Sequence, residues 1–318
     1  MAKNKKETDA FAYDDAFRTM EGECDDILIP FVNYVFGERY TKRAVIQRMR
    51  NEHFIVKAGG AEEKRITDSH FEIIENGFGK QYHMECESKK YDNSILVRFL
   101  EYDTATAMDD IKWEGNKLIV RFPQSGLLLL RGSGKAPNEA QIAMKTPGGE
   151  VSYPVKIIKV SDFTVDDIFE KQLYLLIPYF IFNYEKEMRS IEEDEERINS
   201  LAKVYDNIVE RMNEDQEKGL LSALSYGVII SMTKKVLRKL TVKHEIVHKK
   251  VGDSMGGKVL DLPEIRAYHQ GKDEGRAEGK AEGLAMIALN MLRDGMDFSV
   301  VSKYTGIPTE KLKEIEKS

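Results

Sequence analysis

Apolar residues recur at helical spacing over residues 9–36, where Phe17, Cys24, Ile27, Leu28, Phe31, Val32 and Val35 form one stripe. Pro30 inside that stripe predicts a kink or a break between two helices. Beyond it the period shortens to two. Residues 64–75 (KRITDSHFEIIE) and 81–87 (QYHMECE) predict strands, and the intervening ENGFGK, with Asn76-Gly77 and Gly79, predicts a hairpin turn. Residues 93–111 predict a helix, and residues 117–121 and 127–130 two more strands. The second of these (LLLL) lacks alternation, as a strand buried on both faces does. Residues 132–138 (GSGKAPN) form a loop by composition, and residues 141–145 and 151–160 a strand pair around Pro147-Gly148-Gly149.

After Asp162 the pattern turns helical. Thr164 is placed to cap a helix whose first turn carries Asp166 and Asp167, and Pro178 predicts a kink or break further on. Residues 185–218 hold twelve acidic and six basic residues around a narrow seam of Met188, Ile191, Ile198, Leu201, Val204, Ile208 and Met212. That pattern suits a helical hairpin arm, a dimer contact or, most plainly, a solvated packing helix. Residues 220–240 predict another helix. Residues 234–250 carry seven basic residues, Lys234, Lys235, Arg238 and Lys239 among them, against the single acid Glu245. Beyond Gly256, Gly257 and Pro263 a Glu-Gly pair recurs every four residues, at Glu274, Glu278 and Glu282. Such spacing keeps the glycines on one helical face, suited to a spacer or a self-association arm. Residues 286–317 predict a small helical module with turns at Asp294-Gly295 and Gly306-Ile307-Pro308, and too little basic charge on its last helix for base reading.

Composition narrows the class. The 318 residues, 42% hydrophobic and 32% charged, suffice for a substantial core and one or two domains with a tail. The expected divisions are 9–162, 163–260 and 261–318. The most apolar runs, residues 127–130 and 173–182, fall well short of the roughly 20 residues a bilayer requires, so no membrane partner is expected. MAKNKKETDAF has basic charge but no apolar run behind it, unlike a signal peptide. Cys24 and Cys86 are too few for a disulfide scaffold; they could pair, but a reduced cytoplasmic protein is the simpler expectation. A net charge of -6 argues against coating nucleic acid by bulk charge, yet leaves room for a local basic patch. No complete phosphate loop (GxxxxGK followed by Ser or Thr) and no Rossmann glycine fingerprint occurs, which leaves kinase and dehydrogenase readings without an anchor.

The chemistry concentrates between Asp68 and Lys89. Glu85 and Glu87 lie two apart on a strand and so share a face, and an aligned hairpin brings Asp68 to the same face. Converging carboxylates need protons or a cation, and oxygen donors favour Mg²⁺ or Mn²⁺. Such an ion polarises a phosphodiester and acidifies an attacking water. Lys89 would share the face if the strand extends that far, with Lys90 pointing elsewhere, and Lys89 and Arg98 would neutralise phosphates. The bland alternative is a solvated sheet face, with Met84 and Cys86 turned to the core. His83, on the Glu85 face, could join the carboxylates around Mn²⁺ or Zn²⁺, or serve only as a packing residue. His244 and His248 lack an HExxH pattern and belong with the basic patch.

A wider set of motifs resembles the PD-(D/E)XK nuclease family transposases, close to the Rpn group of recombination-promoting nucleases. The resemblance is carried by Tyr13-Asp14-Asp15-Ala16-Phe17-Arg18, Ile66-Thr67-Asp68-Ser69 and Tyr82-His83-Met84-Glu85-Cys86-Glu87-Ser88. It continues through Val97-Arg98-Phe99-Leu100-Glu101-Tyr102-Asp103, Ser254-Met255-Gly256-Gly257-Lys258-Val259-Leu260 and the Glu-Gly tail. It implies an α/β fold with a restriction-endonuclease-like mixed sheet flanked by helices, followed by a helical C-terminal region. It also implies Mg²⁺- or Mn²⁺-dependent endonucleolytic cleavage of DNA, linked to recombination or mobile elements, with Asp68 and Glu85 as metal ligands. Glu87 stands where the family's name has lysine and where such relatives often have glutamine. This departure adds a ligand or weakens water activation, and Lys89 offers a substitute charge. DNA is the expected partner, with a homo-oligomer as a further option. The rival readings are a catalytically inactive DNA-binding member of the same fold and a partner-binding structural protein.

Overall fold

The computed structural model describes residues 12–49, 52–56, 62–66, 69–132, 136–255, 283–293 and 296–315. The chain divides into two compact units, Met1–Val259 and Leu260–Ser318.

The first unit is α/β. Two helices open its described part, α1 (Ala12–Glu23) and α2 (Asp25–Phe36). The break between them falls at Cys24, whose backbone (φ −126°, ψ 79°) leaves the helical region, and not at Pro30, which lies within α2 without ending it. The strands are β1 (Val45–Arg48), β2 (Glu52–Val56), β3 (Glu62–Ile66), β4 (Ser69–Glu75) and β5 (Phe78–Glu87). The single strand expected over 64–75 is thus two. The charge-rich EEKRI segment pairs only with β2 as a separate ribbon, while β4 enters the main sheet. Helix α3 (Ile95–Asp109) follows, then the hairpin β6 (Lys112–Glu114) and β7 (Lys117–Ile119), and strands β8 (Gln124–Leu129), β9 (Glu139–Thr146) and β10 (Gly149–Lys159).

Six strands form a mixed sheet in the order β1-β4-β5-β8-β10-β9. β1, β4 and β5 are antiparallel neighbours, β5, β8 and β10 run parallel, and β9 returns antiparallel along β10. Antiparallel β4 and β5 need only the tight Asn76-Gly77 turn, where both residues have positive φ (53° and 81°), the backbone twist that two-residue hairpins favour. Parallel β5 and β8 need a crossover, and α3 supplies it.

That topology buries both faces of the centre. Tyr82, Met84 and Cys86 of β5, with Leu128 and Leu130, join the large core built on α1 and α2. On the opposite face Leu127, Val155 and Ile157 pack with Ile95 and Phe99 of α3. The LLLL run is a two-sided strand, as its lack of alternation predicts. Gly126 lets the layers close: a β-carbon there would stand 2.6 Å from Met84 Sδ.

The later helices join the first core. Thr164 and Asp167 form a reciprocal capping box on α4 (Val165–Glu170). Residues Tyr174–Glu187, with Pro178 inside, run as a 3₁₀ stretch whose apolar residues are buried. The single helix expected over 185–218 is interrupted. It resolves into α5 (Met188–Glu192) and α6 (Glu195–Glu217), the latter capped by Asp194, and its seam (Ile198, Leu201, Tyr205, Ile208, Met212) is buried within the unit. Helices α7 (Ala223–Leu240) and α8 (Glu245–Ser254) complete the layer.

The second unit contains a helix over 283–293, α10 (Phe298–Thr305) and α11 (Thr309–Ile315), counting the first as α9. Ala288, Leu292, Val301 and Leu312 form its small core. Gly306, with φ 73°, ends α10 where the sequence predicts a turn. The Glu-Gly repeat lies outside the described residues.

Candidate functional site

Alternation along β5 sets His83, Glu85 and Glu87 toward α3, opposite Tyr82, Met84 and Cys86. The solvated-face alternative does not hold at its centre, because α3 covers that face and Glu85 is only 3% exposed. A buried carboxylate must be compensated. Glu85 Oε2 accepts from Arg98 Nη2 of α3 at 3.1 Å, and its Oε1 lies 3.1 Å from His83 Nε2. The same Arg98 nitrogen stands 3.4 Å from Glu87 Oε2, so one guanidinium corner spans both carboxylates. Glu87 is half-buried, and its Oε1 accepts the Lys89 backbone N–H at 2.8 Å.

Behind Glu85 lies a buried polar chain. His83 Nδ1 is 2.6 Å from Asp103 Oδ1, and Asp103 Oδ2 accepts from Ser125 Oγ at 2.8 Å and Tyr153 OH at 2.9 Å. Phe99 and Tyr102 flank the imidazole, with ring centroids 4.9 and 5.8 Å away. Burial alone would drive the His83 pKa down, but hydrogen bonds to Asp103 and Glu85 push it up to about 9. With both ring nitrogens facing carboxylates, His83 is not placed as a metal ligand.

Asp14, on the first turn of α1, belongs to the same electrostatic neighbourhood. Burial raises its carboxyl above the usual range, Arg18 lowers it, and the negative charges of Glu87 and Glu85 raise it again. The sequence flags Asp14 only as part of a motif; its four-residue spacing from Arg18 was the available signal that both share a face.

An open cleft of about 220 Å³ lies at the carboxyl end of β5 and the start of α3, lined by Glu87, Lys89, Lys90, Tyr91, Ser94 and Arg98. Ligands favour such strand ends in parallel sheets. β5 stops at Glu87, so strand alternation no longer governs the lysines, and Lys90 lines the cleft together with Lys89 instead of pointing elsewhere. Asp68 lies outside the described residues; the β4–β5 ladder begins at Ser69 opposite Met84. Among the described residues no group of three or more His, Cys, Asp or Glu side chains is arranged to hold a metal ion.

The basic stretch is split by the turn between α7 and α8 and is not one continuous face. Lys235 pairs with Asp15 of α1, Lys234 and Lys239 are half-buried, and Arg238 is exposed. His244 bonds Glu192 at 2.9 Å and His248 bonds Thr241 at 3.1 Å, so each histidine ties α8 to its surroundings. Cys24 and Cys86 are both buried and form no disulfide. Among the described residues no helix is long and apolar enough to cross a membrane.

No family model matches the chain, and neither the curated proteins nor the solved structures give a match.

Proposed function

We propose that the protein is a divalent-cation-dependent DNA endonuclease with a restriction-endonuclease-like core, acting at the carboxyl end of β5. The observation that carries this reading is the pair Glu85 and Glu87, joined through one Arg98 nitrogen at the mouth of a cleft lined by two lysines. A positive charge already bridges hard oxygen donors there, so the donor chemistry fits Mg²⁺ or Mn²⁺. Asp68, Glu85 and Glu87 would hold the ion. When bound, it supplies charge neutralisation at the scissile phosphate and a more acidic water.

The chain's own side chains do the rest. Arg98, Lys89 and Lys90 meet the phosphate backbone, and Arg98 then exchanges carboxylate partners for phosphate oxygens. Leu127 and Ile95 form the apolar part of the cleft wall. The Lys235–Asp15 pair sets the start of α1, which carries Asp14, beside the basic end of α7. Lys234, Lys235, Arg238 and Lys239 are therefore the candidate contacts for DNA running beyond the cleft.

A second reading, an inactive DNA-binding member, is favoured by one observation: Glu87 replaces the usual lysine or glutamine, and Arg98 engages both carboxylates. Plasmid nicking by the purified chain separates the two. The endonuclease reading expects nicking with Mg²⁺ or Mn²⁺ that disappears in Asp68→Ala and Glu85→Ala. Nicking unchanged in both variants rejects this site. Salt-sensitive DNA binding without nicking in either metal establishes the inactive reading, and no DNA binding at low salt leaves only a partner-binding protein.

A further inference from the structure

Three strands and a helix contribute to one buried polar chain: Ser125 of β8 and Tyr153 of β10 donate to Asp103 of α3, Asp103 meets His83 of β5, and His83 meets Glu85. His83 is 1% exposed, Asp103 0% and Ser125 1%. Apolar side chains would fill this space at lower desolvation cost. What they could not do is fix the direction of a carboxylate.

We propose that Asp103 and His83 are positioning residues that aim Glu85 at the cleft. Asp103 is held by two hydroxyls, the imidazole is wedged between Phe99 and Tyr102, and the ring reaches only one oxygen of Glu85. The other oxygen, Oε2, pairs with Arg98, and Arg98 lines the cleft. A glutamate whose direction is fixed by the imidazole gives up its rotamer freedom on folding and not on binding, so a cation that displaces Arg98 meets a carboxylate already in place. What Glu85 is aimed at rests on the endonuclease reading; the chain Asp103–His83–Glu85 itself does not.

The test uses the full chain and two measurements: Mn²⁺ affinity by calorimetry, and ring N–H signals of His83 by NMR. The wild-type protein is expected to show a His83 ring N–H protected from solvent exchange. Asp103→Asn, which keeps the shape, should lose that signal and weaken Mn²⁺ binding by about 10–100-fold, as loss of a residue supporting a metal ligand does. His83→Gln, still able to donate to Glu85, should bind Mn²⁺ more tightly than His83→Ala. If Asp103→Asn does not fold, Tyr153→Phe removes one donor to Asp103 and should weaken Mn²⁺ binding severalfold. A folded Asp103→Asn, or failing that Tyr153→Phe, with Mn²⁺ affinity within twofold of wild type overturns the proposal. If the wild-type chain binds no Mn²⁺, the endonuclease reading falls, and the NMR signal alone decides: a protected ring N–H lost in Asp103→Asn upholds the positioning chain, and its absence removes it.

Discussion

The two faces of β5 are both buried, yet they are built on opposite principles. Tyr82, Met84 and Cys86 press into an apolar core with α1 and α2, while His83, Glu85 and, at the rim, Glu87 enter a polar network with α3. The first face needs only shape and volume. The second needs each charge answered by a named partner, and Glu85 is answered by His83 on one oxygen and Arg98 on the other. Substitutions on the first face should therefore change stability and leave the chemistry of folded molecules alone. Substitutions on the second should change chemistry even when shape is kept.

The sharpest break of that contrast pairs neighbouring residues. Met84→Ala should cost about 2–5 kcal/mol of unfolding free energy, as large-to-small core changes do, with nicking per folded molecule unchanged. Glu85→Gln, nearly isosteric, should lower nicking at least about 10²-fold, the scale of losing one preorganised electrostatic group. Denaturant titration and plasmid nicking on both variants check this. Equal activity losses in the two would mean that β5 acts only as a scaffold.

Period-two alternation made the division of β5 readable from residues 81–87, and the Asn76-Gly77 turn made its pairing with β4 readable too. The partners of Glu85 were less so. Arg98 reads in the sequence as a phosphate contact, and nothing local says that it first neutralises two glutamates. Asp103, Ser125 and Tyr153 come from α3, β8 and β10, and only the parallel crossover brings them together. Asp103 did carry a signal, since it lies one helical turn past Phe99 on a face otherwise apolar. Helix ends are the least legible feature: Pro30 signals a break more strongly than Cys24, where the break falls, and the acidic residues around Asp194 suit a helix surface as well as a cap.

Glu21 is the exception on the apolar side. It projects from α1 toward Ser69, whose cross-strand partner is Met84, and toward Arg48. Burial pushes its carboxyl from the ordinary 4.5 up to about 7, against the opposing pull of Arg48 and the Ser69 hydroxyl. An acid whose folded pKa is raised holds its proton longer in the folded chain. Its contribution is therefore most favourable below the unfolded value and declines as pH rises through about 7. The full loss is on the order of 3 kcal/mol. Glu21→Gln should raise the melting temperature at pH 8 and leave it nearly unchanged at pH 4.5, with DNA nicking intact. A variant less stable than wild type at pH 8 would show that the Arg48 contact outweighs burial.

Arg98→Gln sharpens the polar side. Removing the guanidinium takes away a cation that would compete with a metal ion for Glu85 and Glu87. Mn²⁺ binding should tighten by about tenfold, while DNA binding weakens and becomes less sensitive to salt. Those opposite movements distinguish a charge placeholder from a structural clasp, since loosening a clasp would weaken both. Calorimetry with Mn²⁺ and a salt series of DNA-binding measurements read them separately.

The smallest expected effect lies at the rim of the same face. Glu87 makes the longer of the two Arg98 contacts, 3.4 Å against 3.1 Å for Glu85, and its other oxygen accepts a backbone N–H that an amide oxygen can also take. Glu87→Gln should therefore leave stability within about 0.5 kcal/mol of wild type, as for most changes away from buried charges. It should weaken Mn²⁺ binding only about threefold, because one charge is lost while an oxygen donor remains. Nicking should persist, since an oxygen donor remains at this position and can still accept the Lys89 backbone N–H. If nicking instead vanishes while Mn²⁺ affinity barely moves, Glu87 acts on the water or the phosphate and not on the ion. The functional part of the polar face would then extend beyond the strand's buried end to its exposed one.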